Sequence, residues 1–110
     1  MTFYKELYCD ETTSKSKKKI IRKIRRNAGQ LGVYVIALSN GNDLFDIFHV
    51  GNLKQKYFPK ESLHIIGIAS SYDESVKLVI KIIADFYKAY GTYQFKEKLL
   101  KTEDKKWRFF

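Results

Sequence analysis

Val33-Tyr34-Val35-Ile36-Ala37-Leu38 is followed by Ser39-Asn40-Gly41-Asn42-Asp43 and then by Leu44-Phe45-Asp46-Ile47-Phe48-His49-Val50. The first six residues are apolar at successive positions, so both faces of an extended chain would be apolar there. That pattern belongs to a strand with neighbours on either side. Asn-Gly is the strongest short signal for a tight hairpin turn, because both residues tolerate the positive φ angles such a turn demands. Together the three segments predict an antiparallel hairpin with strands over 33–38 and 44–50, interrupted on the second by Asp46 and His49.

Working outward on the C-terminal side, residues 51–62 read as a connection, with Gly51, Pro59 and the polar run Lys54-Gln55-Lys56, and with Tyr57-Phe58 as an anchor. A third strand is predicted over 63–69, where Gly67 marks a bulge or a close backbone approach. Ser71 with Glu74 three residues on forms a capping box ahead of an apolar-periodic run. Val76, Val79, Ile80, Ile83, Phe86 and Tyr90 fall at helical spacing and Gly91 is a natural stop, so a helix is predicted over 71–90.

On the N-terminal side, Asp10-Glu11-Thr12-Thr13-Ser14 supplies capping oxygens and places negative charge where the helix dipole favours it. A helix over 14–28 follows, ended by Gly29. Its apolar residues Ile20, Ile21, Ile24 and Ala28 make one narrow stripe. Residues 3–9 alternate loosely and predict a further short strand or an extended arm. Residues 96–110 are a charged tail closing on Trp107-Arg108-Phe109-Phe110, aromatics that need a docking place. The predicted order is α-β-β-β-α in a single domain spanning 1–110. The economical architecture is an α+β sandwich, with a three-stranded antiparallel sheet carrying both helices on one face.

The charge of +9 is unevenly distributed. Residues 15–26 hold eight cations and no acid, whereas residues 27–95 hold six of each sign. The chain therefore reads as a nearly neutral globule with one strongly basic helix. That asymmetry points to an anionic partner, either nucleic acid or an acidic protein. The residues presented to it are Lys15, Lys18, Lys19, Arg22, Lys23, Arg25 and Arg26. Seventeen of the 21 bases are Lys, so a merely solvated basic face is the plainer explanation.

Other chemistries find little support. A single Cys excludes a disulfide framework and a thiolate metal cluster made by this chain alone. Cys9 lies beside Asp10 and Glu11, which raise a thiol's pKa and do not activate it. His49 and His64 sit on consecutive predicted strands and could be neighbours, but a catalytic zinc site needs a third protein ligand. Asp43, Asp46 and Glu61 show no tight spacing of the kind a metal-dependent nuclease uses. No Gly-x-Ser-x-Gly elbow occurs, and Gly29-Gln30-Leu31-Gly32 precedes a strand, the wrong order for a dinucleotide site. No apolar run approaches the roughly 18 residues of a membrane span, and the first residues lack a signal peptide's charge-then-apolar order. The expectation is a cytoplasmic, non-enzymatic protein without metal or cofactor and without a membrane role. An alternative is a protein-interaction or self-assembly domain, homodimeric through the sheet's open face.

Two resemblances add to this. The order α-β-β-β-α over residues 14–91 is similar to that of double-stranded-RNA-binding domains in topology only. Tyr72-Asp73-Glu74-Ser75 stands where that family carries its basic motif, so no residue is carried over. Leu7-Tyr8, Asn27-Ala28-Gly29-Gln30, Asp46-Ile47-Phe48-His49, Leu53-Lys54-Gln55-Lys56-Tyr57, and Ile66-Gly67-Ile68-Ala69 with Tyr72-Asp73-Glu74 together resemble a family of small uncharacterised proteins of low-GC Gram-positive bacteria. That family has no assigned activity, so the resemblance implies a bacterial origin and nothing about chemistry.

Overall fold

A computed structural model describes residues 1–26, 32–38, 45–54 and 63–91. The predicted end of the first helix at Gly29, the Asn40-Gly41 turn, the Pro59 region and the charged tail all lie outside these residues.

The elements run β1 (Thr2–Cys9), α1 (Glu11–Ser14), α2 (Lys17–Arg25), β2 (Tyr34–Leu38), β3 (Phe45–His49), a 3-10 turn (Val50–Lys54), β4 (His64–Ala69) and α3 (Tyr72–Tyr90). The four strands form one sheet in the order β1-β4-β2-β3. The predicted hairpin is present: β2 and β3 pair antiparallel, from Leu38 opposite Phe45 to Tyr34 opposite His49. β4 then pairs antiparallel with β2 on its other side.

The predicted three-stranded antiparallel sheet is corrected at β1. Residues 2–9 form a full edge strand that runs parallel to β4, with Thr2 opposite His64 and Cys9 opposite Ile68. The sheet is therefore four-stranded and mixed within an α+β fold. Local alternation in residues 3–9 is poor because the register shifts between Phe3 and Tyr8, where five steps along β1 match two along β4. Lys5 and Glu6 consequently both face solvent.

The placement of the helices is corrected as well. Ile20 and Ile24 of α2 share a buried cluster with Phe3, Leu7, Val35 and Ile65. Leu78, Ile82 and Phe86 of α3 share a different one with Tyr4, Ile36, Leu38 and Ile66. The two helices cover opposite faces of the sheet, not one. The reason is in the strands: in β2, Val35 and Ala37 point one way while Ile36 and Leu38 point the other, and all four are buried. Two apolar faces need two covers. Burying Ile20 and Ile24 contributes about 1.5–3 kcal/mol each, enough to hold a nine-residue helix that is otherwise cationic.

The single helix predicted over 14–28 is two. α1 is one turn, capped by Asp10, whose carboxylate accepts from the Thr13 N–H at 2.8 Å. The chain breaks at Lys15 and Ser16 before α2 begins. The Thr13 hydroxyl lies 3.2 Å from the Ile68 carbonyl oxygen of β4, which ties the first turn to the sheet. The break lets α2 take a new direction and turn its own isoleucines inward.

α3 matches its prediction closely. Ser71 Oγ accepts from the Glu74 N–H at 3.1 Å, and Gly91 ends the helix in the left-handed region at φ 65°. The Glu74 side chain does not complete the box; it meets Lys77 Nζ at 3.3 Å instead. Gly67 is also where it was expected to matter. The β2–β4 register shifts beside it, and a Cβ there would come within 3.1 Å of Ile36 Cδ1 and 3.3 Å of the Tyr8 carbonyl oxygen.

Candidate nucleic-acid interface

The basic segment is built by the narrowness of its apolar stripe. With Ile20 and Ile24 buried and Ile21 partly so, most of the remaining positions of α2 point outward, Lys17 and Lys23 being half-buried. Lys18, Lys19, Arg22, Arg25 and Arg26 are exposed. Positions 18, 22 and 25 or 26 lie three or four apart, so they fall on one side of the helix. Lys15 is exposed too, but it occupies the break before α2 and not the helix itself. No acid lies in the first turn of α2. Lys18, Lys19, Arg22, Lys23 and Arg26 form no ion pair among the described residues. The Arg25 guanidinium lies 4.8 Å from the centre of the Phe3 ring, which orients that side chain against β1. The result is a stripe roughly 13 Å long with cations on its outer side.

Among the described residues β1 is an edge strand, and around it lies a groove of about 800 Å³. Its lining draws on both sheet faces, since Leu7 belongs to the α2 side while Tyr4 and Leu78 belong to the α3 side. Such a mixture is geometrically available only at an edge strand. Lys17, the first residue of α2, forms part of one wall, and Lys81, Asp85 and Lys88 of α3 form the other. The Tyr8 hydroxyl donates to Asp85 Oδ2 at 2.7 Å. Burial, and then the Asp85 carboxylate, push the Tyr8 phenol far above its ordinary pKa, so it remains a donor. The Lys81 ammonium lies over the Tyr8 ring, 5.9 Å from its centre.

The groove residues escape a reading of sequence because Tyr8 and Asp85 are 77 positions apart. One signal was available: Lys81, Asp85 and Lys88 sit at helical spacing and make a polar stripe along the otherwise apolar stretch 78–90.

The remaining candidates are scattered. His49 and His64 are not neighbours. Tyr34 of β2 stands opposite both His49 and Ala69, whereas His64 begins β4 five residues earlier, roughly 16 Å along the strand. His49 Nδ1 accepts from the Gly51 N–H at 3.0 Å, and its ring stands edge-on to Tyr34 at 5.3 Å. His64 Nδ1 lies 2.7 Å from the Thr2 hydroxyl, and burial lowers its pKa. Asp46 is exposed on the edge strand β3, and Asp43 and Glu61 lie outside the described residues. Among the described residues no three His, Cys, Asp or Glu side chains gather as a metal would require. Cys9 is half-buried in β1, and burial is the leading reason its thiol pKa is raised. Among the described residues, no helix is long and apolar enough to cross a membrane.

No family model, no curated protein and no solved structure matches this chain.

Proposed function

We propose that this protein is a small, non-enzymatic cytoplasmic module of bacterial origin that binds nucleic acid by placing α2 against the phosphate backbone. The observation that supports this reading is the outer side of α2, where Lys18, Lys19, Arg22 and Arg26 are exposed beside Arg25, itself exposed but resting on Phe3, on a helix that carries no acid. Like charges at this density repel one another, and an array of phosphates relieves that repulsion by releasing condensed counterions. Contacts of this kind give affinity and steep salt dependence and carry little sequence information.

Fluorescence anisotropy with labelled oligonucleotides at several salt concentrations tests the reading. About five phosphate contacts give a log–log salt slope of about −4.5 on duplex DNA. Combined charge reversal at Lys19, Arg22 and Arg26 to Glu abolishes binding and leaves the circular dichroism spectrum unchanged. Absence of binding by the unaltered protein at about 50 mM salt, where screening is weak, overturns the proposal.

Self-assembly is the second reading, and it has an observation of its own. Tyr72, Val76, Ile80 and Tyr87 of α3 are 55%, 38%, 64% and 46% exposed, an apolar flank beside the helix's buried face.

A further inference from the structure

The groove at the edge of β1 reaches the start of α2, because Lys17, the half-buried first residue of that helix, lines it. We infer that the groove seats unpaired bases of a single nucleic-acid strand whose phosphates run along α2. This inference rests on the nucleic-acid reading and adds to it the strandedness of the ligand.

The lining fits a base better than it fits a phosphate alone. Leu78 and Ala89 offer apolar surface for a ring, beside Tyr8, whose own ring is stacked with Tyr4 and lies under the Lys81 ammonium. Glu6 and Asp85 repel phosphate, yet they are suitable acceptors for the exocyclic amino groups of bases. Lys17, Lys81 and Lys88 stand around these groups, so phosphates on either side of a seated base find cations. The Tyr8–Asp85 hydrogen bond fixes the phenol between β1 and α3 and so pre-organises that wall of the groove.

Size argues in the same direction. A volume of about 800 Å³ falls in the range of small-ligand sites, about 300–1,000 Å³. A duplex keeps the faces of its bases closed inside the stack, so only an unpaired or extruded base can use such a groove. The register shift in β1 further disfavours an added peptide strand, since Lys5 and Glu6 interrupt the regular edge that strand addition needs.

The test compares a labelled single strand with its own duplex, by anisotropy at one salt concentration, for the full chain and two variants. Ala89→Trp fills the groove from an exposed helix position, and the double variant Lys81→Glu/Lys88→Glu reverses its wall. Neither touches the outer side of α2, and circular dichroism verifies the fold of each. The unaltered protein prefers the single strand by about tenfold or more, consistent with one stacked base. Ala89→Trp removes that preference while duplex affinity stays the same, and the double variant weakens the single strand more than the duplex. Equal affinity for both strands in the unaltered protein, or a preference that survives both variants, overturns the groove and leaves phosphate binding by α2 standing. Absence of binding to either ligand overturns both readings together.

Discussion

At Asp10, burial would raise the pKa of a carboxyl group, yet hydrogen bonds from Ser70 and Thr13 outweigh it and hold the value at about 2. The side chain accepts from the Thr13 N–H at 2.8 Å and the Ser70 N–H at 3.0 Å, and the Ser70 hydroxyl also bonds to it. One residue thereby joins the end of β1, the first turn of α1 and the junction of β4 with α3. Asp10→Asn keeps the shape but loses the charge-assisted bonds, and is expected to cost about 1–3 kcal/mol of stability. The pH dependence follows from the direction of the shift. A pKa below the ordinary value of about 3.9 means that Asp10 stabilises the fold fully above about pH 4, and that this contribution is lost as pH falls towards 2. Urea unfolding of the two proteins should therefore show a gap at pH 7 that narrows towards pH 2. A gap of constant size would show that the charge plays no part.

α2 starts on Lys17-Lys18-Lys19, where the positive end of a helix dipole disfavours cations. α1 and α3, by contrast, carry Glu11, Asp73 and Glu74 in their first turns. The start of α2 is thus arranged against its own stability, as expected where charge serves a partner. Lys18→Glu should raise stability by about 0.3–1 kcal/mol in thermal unfolding while weakening oligonucleotide binding. A variant that gains neither stability nor loses affinity would separate α2 from the function proposed for it. The same elements show what sequence can and cannot reveal. α3 was legible nearly to the residue because its signals, Ser71, the apolar spacing and Gly91, are all local. The break at Lys15 and Ser16 was not, because the contacts that fix the turn reach Ile68 and Ser70, 55 and 60 residues away. The opposite placement of α2 and α3 was implicit in Val33–Leu38, since a strand apolar on both faces already demands two covers. For the same reason the cations of α2 could be read from the chain, while the groove, which needs β1 beside α3, could not.

At the scale of the whole molecule, α3 carries an apolar surface on two flanks, one against the sheet and one exposed through Tyr72, Val76 and Ile80. If that exposed flank joins two copies, light scattering gives a mass that rises with concentration, and Ile80→Glu returns it to that of one chain. A constant monomer mass would remove self-assembly and leave the flank as ordinary surface. The parallel pairing of β1 has a different consequence, for how the chain acquires its fold. Among the described residues β1 pairs with one strand, β4, and Thr2 meets His64 across 62 positions of sequence. At a synthesis rate of about 5–20 residues per second, β1 leaves the ribosome roughly 3–12 s before the strand it pairs with exists. During that interval Phe3, Tyr4 and Leu7 have no sheet to enter, while α2 and the β2–β3 hairpin can already form from neighbouring residues. β1 is therefore placed only after β4 emerges, and until then the nascent chain carries an unpaired apolar segment beside its most highly charged one.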